Sequence, residues 1–79
     1  MALESGLLWC SPRLTTTERI AEAIAHYIAK YSRVPNAVHV HPTEMPPEPI
    51  DGLLVESDRH VPTGFVWVGI DEKLEGESR

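Results

Sequence analysis

The sequence has little of what several large classes of protein require. Its single cysteine, Cys10, excludes an intramolecular disulfide and a cysteine-rich zinc site. No apolar run reaches the roughly 18–20 residues of a transmembrane helix, and the start lacks the basic residues and long apolar stretch of a secretory signal. Seven basic against twelve acidic residues give a net charge of −5, which disfavours nucleic-acid and anionic-membrane binding. We therefore expect a cytoplasmic protein with neither partner.

The chain of 79 residues is long enough for one small domain, which we predict to span 1–79. With 42% hydrophobic and 24% charged residues, its composition is that of a folded protein. A core of this size supplies only ~3–5 kcal/mol of net stability, so a further source of burial is expected. We predict flexible ends at 1–6 and 71–79, and a proline-rich surface loop at 42–52.

One amphipathic helix is predicted at 16–32. Thr15 and Glu18 form the sequence pattern of a capping box at its start. Val34-Pro35 ends it, because the residue before a proline avoids the helical conformation. Its apolar stripe consists of Ile20, Ile24, Tyr27, Ile28 and Tyr31. The opposite, charged side carries Arg19, Glu22, His26 and Lys30.

Three segments after the helix have strand patterns, at 37–41, 53–57 and 65–70. A fourth segment, 7–10, is a possible first strand, and 58–64 has the composition of a hairpin loop between the last two strands. The sequence therefore predicts an α+β fold. One amphipathic helix packs on a small, mostly antiparallel sheet of three or four strands, in the order β-α-β-β-β.

The segment 65–70 is apolar on both faces of its strand. One face carries Val66, Val68 and Ile70, and the other carries Phe65 and Trp67. A single helix can cover only one face of the sheet, so we expect the second to be an association surface. We predict a homo-oligomer or a protein partner bound there, with Phe65, Trp67 and Trp9 as interface residues. In the alternative, the N-terminal segment that includes 7–9 folds back over this face.

These patterns favour a non-enzymatic interaction or accessory domain without a cofactor. Acidic residues are concentrated in 44–58, which is consistent either with a basic partner surface or with a solvated loop. Cys10 is not paired with a base in the sequence, and we interpret it as a small buried thiol.

The alternative function is a small zinc-dependent hydrolase, and it depends on His39 and His41. Two positions apart on a strand, both imidazoles project from the same face, close enough to share a metal ion. The candidates for a third ligand, in or near the following loop, are His60, Asp58 and Glu56. The competing interpretation of the two histidines is a polar strand face.

The string His39-Val40-His41-Pro42 is similar to the HxHP core of the JAB/MPN-type zinc metalloproteases. The resemblance implies that both histidines bind zinc, that a downstream aspartate completes the ligand set and that an upstream glutamate acts as general base. The match covers four residues, and the serine that the family has before its aspartate is absent from 43–51.

Overall fold

The computed structural model describes residues 6–50 and 52–71. Its elements in chain order are β1 (Gly6–Cys10), α1 (Thr16–Tyr31), β2 (Ala37–Val40), a 3₁₀ turn (Pro42–Glu44), β3 (Leu54–Ser57) and β4 (Phe65–Gly69). The predicted α+β class and the possible first strand are confirmed. Gly6 begins β1, and the rest of the two predicted flexible ends lies outside the described residues, apart from Asp71. No helix in the described part of the chain is long and apolar enough to cross a membrane.

The start and end of α1 follow from local side-chain and backbone hydrogen bonds. Thr15 Oγ1 accepts from the backbone N–H of Glu18 at 3.2 Å, and Glu18 Oε1 accepts from the backbone N–H of Thr15 at 3.1 Å. This is the predicted capping box, which satisfies two N–H groups that the helix leaves free. At the other end Ser32 takes the left-handed conformation, with φ of 58°, and its N–H donates to Ile28. The helix thus ends one residue earlier than predicted.

The four strands form one mixed sheet in the order β1-β4-β2-β3. β4 is antiparallel to both of its neighbours, β1 and β2, and β3 is parallel to β2. β1 and β2 therefore run in the same direction on either side of β4, joined by α1.

The predicted hairpin between the last two strands is wrong, because β3 and β4 lie on opposite sides of β2. The segment 58–64 instead crosses the end of the sheet, and the Asp58 N–H donates to the carbonyl of Val40 at 2.7 Å. The physical reason is burial. β4 is apolar on both faces and takes an interior position, whereas β3 carries Glu56 and Ser57 and remains at an edge.

The core lies between α1 and one face of the sheet. Its central strand residues, none of them measurably exposed, are Val38, Val40, Val66 and Val68. From α1 they are met by Ile20, Ala23 and Tyr27. The valines share a face because Val38 pairs with Val68 and Val40 with Val66. Residues that lie directly opposite each other on two neighbouring strands point to the same side of the sheet.

Arg19 is buried, with only 3% of its surface exposed, although its position in the helix pattern placed it on the charged side. The loops around the start of α1 supply enough acceptors to satisfy its guanidinium group. Nε donates to the carbonyl of Ser11 and Nη2 to that of Leu14, both at 2.8 Å. Nη1 lies 3.4 Å from Glu44 Oε1, which also accepts from the backbone N–H of Gly64. Arg19 therefore joins three loops at one end of the sheet.

Candidate functional site: the open sheet face

The face of the sheet opposite α1 is here called the open face. Residues that lie opposite one another on neighbouring strands form three rows on this face. Each row crosses the sheet from β1 through β4 and β2 to β3. The first row consists of Gly6, Gly69, Ala37 and Leu54, and the second of Leu8, Trp67, His39 and Glu56. The third begins with Cys10 and Phe65. The open face is thus apolar on β1 and β4 and polar on β2 and β3.

The apolar half of the open face is partly accessible to solvent. Leu8 is 51% exposed, and Phe65 and Trp67 are half-buried. Cys10 is exposed, so its interpretation as a buried thiol is wrong. It lies on an edge strand, with its side chain on the face that α1 does not cover. Neither β1 nor β4 contains a charged residue.

The Trp67 indole lies over Gly6, in the first row. A Cβ atom built on Gly6 would overlap the indole atoms Cζ2, Cε2 and Nε1. The ring therefore extends sideways from β4 across the backbone of β1. Gly6 and Gly69 have no side chain, and Ala37 has a single methyl group, so this row leaves room for a large ring. The sequence alone does not show that Gly6 makes room for the Trp67 ring, because this depends on the register between β1 and β4.

The polar half of the open face is organised around His39. Its Nδ1 atom lies 3.1 Å from Asp58 Oδ2, and its Nε2 atom lies 3.4 Å from Glu56 Oε1. The imidazole also lies beside Trp67, with ring centroids 5.5 Å apart. His39 is therefore placed between two carboxylates on one side and the apolar half on the other.

Asp58 joins His39 to the loop that follows β3. Its Oδ1 atom accepts from the backbone N–H of His60 at 2.8 Å and lies 3.2 Å from His60 Nδ1. The His60 backbone N–H, followed by the His39 ring, holds the pKa of the Asp58 carboxyl below its ordinary value. The His60 side chain itself is almost fully exposed.

His41 is engaged separately from this group. Its Nδ1 atom accepts from the backbone N–H of Thr43 at 3.2 Å and lies 2.8 Å from Thr43 Oγ1. This contact caps the 3₁₀ turn that starts at Pro42. Of the predicted metal ligands, the structure places Glu56 and Asp58 beside His39, and Asp58 also contacts His60. In the described part of the chain no group of three or more His, Cys, Asp or Glu side chains could hold a metal ion. The zinc site remains a prediction.

Trp9 belongs to the other face of the sheet. It pairs with Val66, a core residue, and its indole Nε1 donates to Glu22 at 2.6 Å. Its ring stacks on that of His26, with centroids 3.9 Å apart. Residues 6–10 also form a strand of the sheet, so this part of the N-terminal segment does not fold across the open face. We therefore leave Trp9 out of the candidate interface.

Glu22, on the charged side of α1, is also drawn into contact with β1. Its Oε1 atom accepts from both the Ser11 hydroxyl and the Trp9 indole. The Ser11 hydroxyl, followed by the indole N–H, holds the pKa of the Glu22 carboxyl below its ordinary value. Part of the charged side of α1 therefore contacts β1 and the residue that follows it.

The proline-rich segment lies beside β3 and forms an open apolar groove of about 400 Å³ with it. The residues that line this groove are Met45, Pro46, Pro47, Glu48, Pro49, Ile50, Leu53, Leu54 and Val55. Much of the acidic charge in 44–58 has partners within the chain, since Glu44 contacts Arg19 and both Glu56 and Asp58 contact His39. These contacts weaken the argument for a basic partner.

No protein-family model, curated protein or solved structure matches the chain. The candidate functional site is therefore the open face with the strands that border it. Its apolar half is partly exposed and carries no charge, and its polar half has ionisable groups that are paired with one another.

Proposed function

We propose that the chain is a small non-enzymatic interaction domain that associates with a second copy of itself through the apolar half of its open face. The observation that supports the proposal is that α1 covers only one of the two faces of the sheet. α1 packs on one face, while Leu8, Phe65 and Trp67 stand on the other. A partly exposed apolar area of this kind is typical of an association surface.

The size of the core supports association. The buried cluster between α1 and the sheet contains eight residues, so little apolar area is available to offset the conformational entropy of folding. A partner that binds only the folded chain adds its binding free energy to the stability of the fold. Contact between the Leu8 side chains of two copies, beside Trp67, would also remove further apolar surface from water.

The charge distribution permits a second copy as the partner at this surface. The chain carries a net charge of −5, so most pairs of surfaces on two copies repel each other. β1 and β4 contain no charged residue and can approach their counterparts without that cost. The aromatic side chains Trp67 and Phe65 are the expected anchors, because buried aromatic residues dominate the energetics of interfaces.

The test is molar mass by light scattering, measured over increasing protein concentration. We expect the wild type to associate and Trp67→Ala to shift the transition to higher concentration. Ile28→Ala is the matched control, since Ile28 is a partly exposed apolar residue on α1. A wild-type chain that stays monomeric throughout would contradict the proposal and leave a different protein as the partner. Equal effects of the two substitutions would contradict the role of Trp67.

The alternative function is a metal-dependent hydrolase, and one contact favours it. His39 and His60 approach the same carboxylate, that of Asp58. A zinc enzyme should retain close to one transition-metal ion per chain after purification, and its melting temperature should rise in excess zinc. His39→Ala would abolish that rise. For an interaction domain we expect no bound metal and an unchanged melting temperature in both chains.

A further inference from the structure

Among the described residues, the backbone of β1 is bonded to β4 along one side and to no strand along the other. The Ser11 N–H donates to the carbonyl of Gly64 at 3.0 Å, continuing the register in which Cys10 pairs with Phe65. In an antiparallel pair, hydrogen-bonded and non-hydrogen-bonded positions alternate. Ser11, Trp9 and Leu7 therefore direct their N–H and C=O groups towards β4. The alternate residues of β1 direct theirs outwards, at the edge of the sheet, and these are Gly6, Leu8 and Cys10.

The β1 edge lacks the features that usually prevent strand pairing. Natural edge strands are commonly protected by a charged side chain, a proline or a bulge. β1 contains neither charge nor proline, and its register with β4 has no bulge. The other edge strand, β3, carries Glu56, whose side chain is 56% exposed, and the proline-rich segment borders it. The two edges of the same sheet thus differ in their capacity to accept another strand.

The outward groups of β1 match those of a second β1 strand related by a twofold axis. When two antiparallel copies are centred on Leu8, this residue pairs with its own counterpart, and Gly6 pairs with Cys10 of the partner subunit. All three outward residues then form hydrogen-bonded pairs, giving about six hydrogen bonds at two per pair. If the two strands were instead centred on Leu7 or on Trp9, one outward residue of each copy would lie opposite a residue outside β1.

The side chains on the open face fit the same register. Cys10 of the partner subunit would stand opposite Gly6, on the same face of the sheet. The Trp67 indole already lies over Gly6, so it would contact that side chain. Leu8 would meet its counterpart directly. One pairing thus brings Leu8, Cys10 and Trp67 of the two copies side by side on the same face.

We infer that two copies of this chain join edge to edge through β1, antiparallel and centred on Leu8, to form a continuous eight-stranded sheet. This inference rests on the proposed self-association and places the contact at the β1 edge, where the apolar half of the open face ends, so that the face itself stays accessible. The two open faces become one surface, with an apolar strip that runs from Trp67 of one copy through both Leu8 side chains to Trp67 of the other. A twofold interface of this kind closes on itself and uses both β1 edges.

The test compares substitutions at the two edges of the sheet. Leu8→Pro removes an N–H that the monomer does not use, and Leu8→Lys places two like charges opposite each other. We expect each to raise the dissociation constant of the dimer by about tenfold or more. Leu54→Lys is the matched control, because Leu54 lies on the same face in the other edge strand. It should leave the dissociation constant unchanged, and circular dichroism checks that each variant is folded.

Amide hydrogen exchange of the wild-type chain tests the geometry without any substitution. The amides of Leu7 and Trp9 should be protected at every concentration, since they donate to β4. Those of Leu8 and Cys10 should become protected only as the dimer forms. A dimer that survives both Leu8 substitutions, or that leaves these two amides unprotected, would overturn the edge geometry and leave self-association standing. A chain that is monomeric at all concentrations would overturn both.

Discussion

The indole ring of Trp67 occupies the space in which a side chain at position 6 would stand. The two residues are not directly paired, because Gly6 lies opposite Gly69 and Trp67 lies opposite Leu8. The ring therefore reaches diagonally from an interior strand to the edge of the sheet. This contact makes a glycine in an edge strand part of the candidate interface, since it determines where the largest side chain of the open face lies.

Gly6→Ala is expected to displace the Trp67 indole and to destabilise the fold by about 1–3 kcal/mol, the usual cost of inserting a group into filled space. Chemical denaturation measures the loss. In the background of Trp67→Ala the ring is absent, so the same substitution should cost much less. Equal costs in the two backgrounds would show that the indole does not occupy this position.

Arg19→Met is expected to destabilise the fold by about 3–5 kcal/mol, because Glu44 would lose its cation and the carbonyls of Ser11 and Leu14 would lose a donor. Arg19→Lys should also be destabilising, since an ammonium group cannot reproduce the planar set of donors. Arg13→Met is the control, because Arg13 is exposed, and it should change the free energy of unfolding by no more than about 0.5 kcal/mol. Similar losses at positions 13 and 19 would contradict the assigned role.

Asp58 should make the stability of the fold depend on acidic pH. Its pKa in the folded chain is lowered from an ordinary value of 3.8, chiefly by the His60 backbone N–H and then by His39. A lowered pKa stabilises the fold at pH values above the ordinary one, and this contribution is lost as the pH falls through the lowered pKa. The difference in unfolding free energy between wild type and Asp58→Asn should therefore be constant near neutrality and shrink below about pH 4. A difference that grows on acidification would contradict this sign.

Local patterns were sufficient to predict most of the secondary structure. The helix and its capping box depend on residues within one turn of each other, Thr15 and Glu18. The alternation of Val38 and Val40, and of Val66 and Val68, correctly identified the buried face of the sheet. The same alternation showed that the segment 65–70 is apolar on both faces. Because one helix can cover only one of them, it also predicted that the second face is open.

The contacts that the sequence did not predict depend on how distant segments meet. The hairpin between β3 and β4 was the natural interpretation of a short loop, yet burial of β4 placed β2 between them. Arg19 lies on the polar side of the helix pattern, and only the loops around it, with Glu44, make its burial possible. The position of Trp67 over Gly6 likewise requires the register of two strands separated by most of the chain.

The most direct test of the central claim is the molar mass of the wild-type chain, measured by light scattering on a sizing column over a range of loaded concentrations. We expect a rise from the mass of the 8.8 kDa chain towards twice that value as the concentration increases. For Leu8→Lys the same rise should occur only at concentrations about tenfold higher or more. A wild-type chain that elutes as a monomer at every concentration would contradict the claim that the open face and the β1 edge serve self-association.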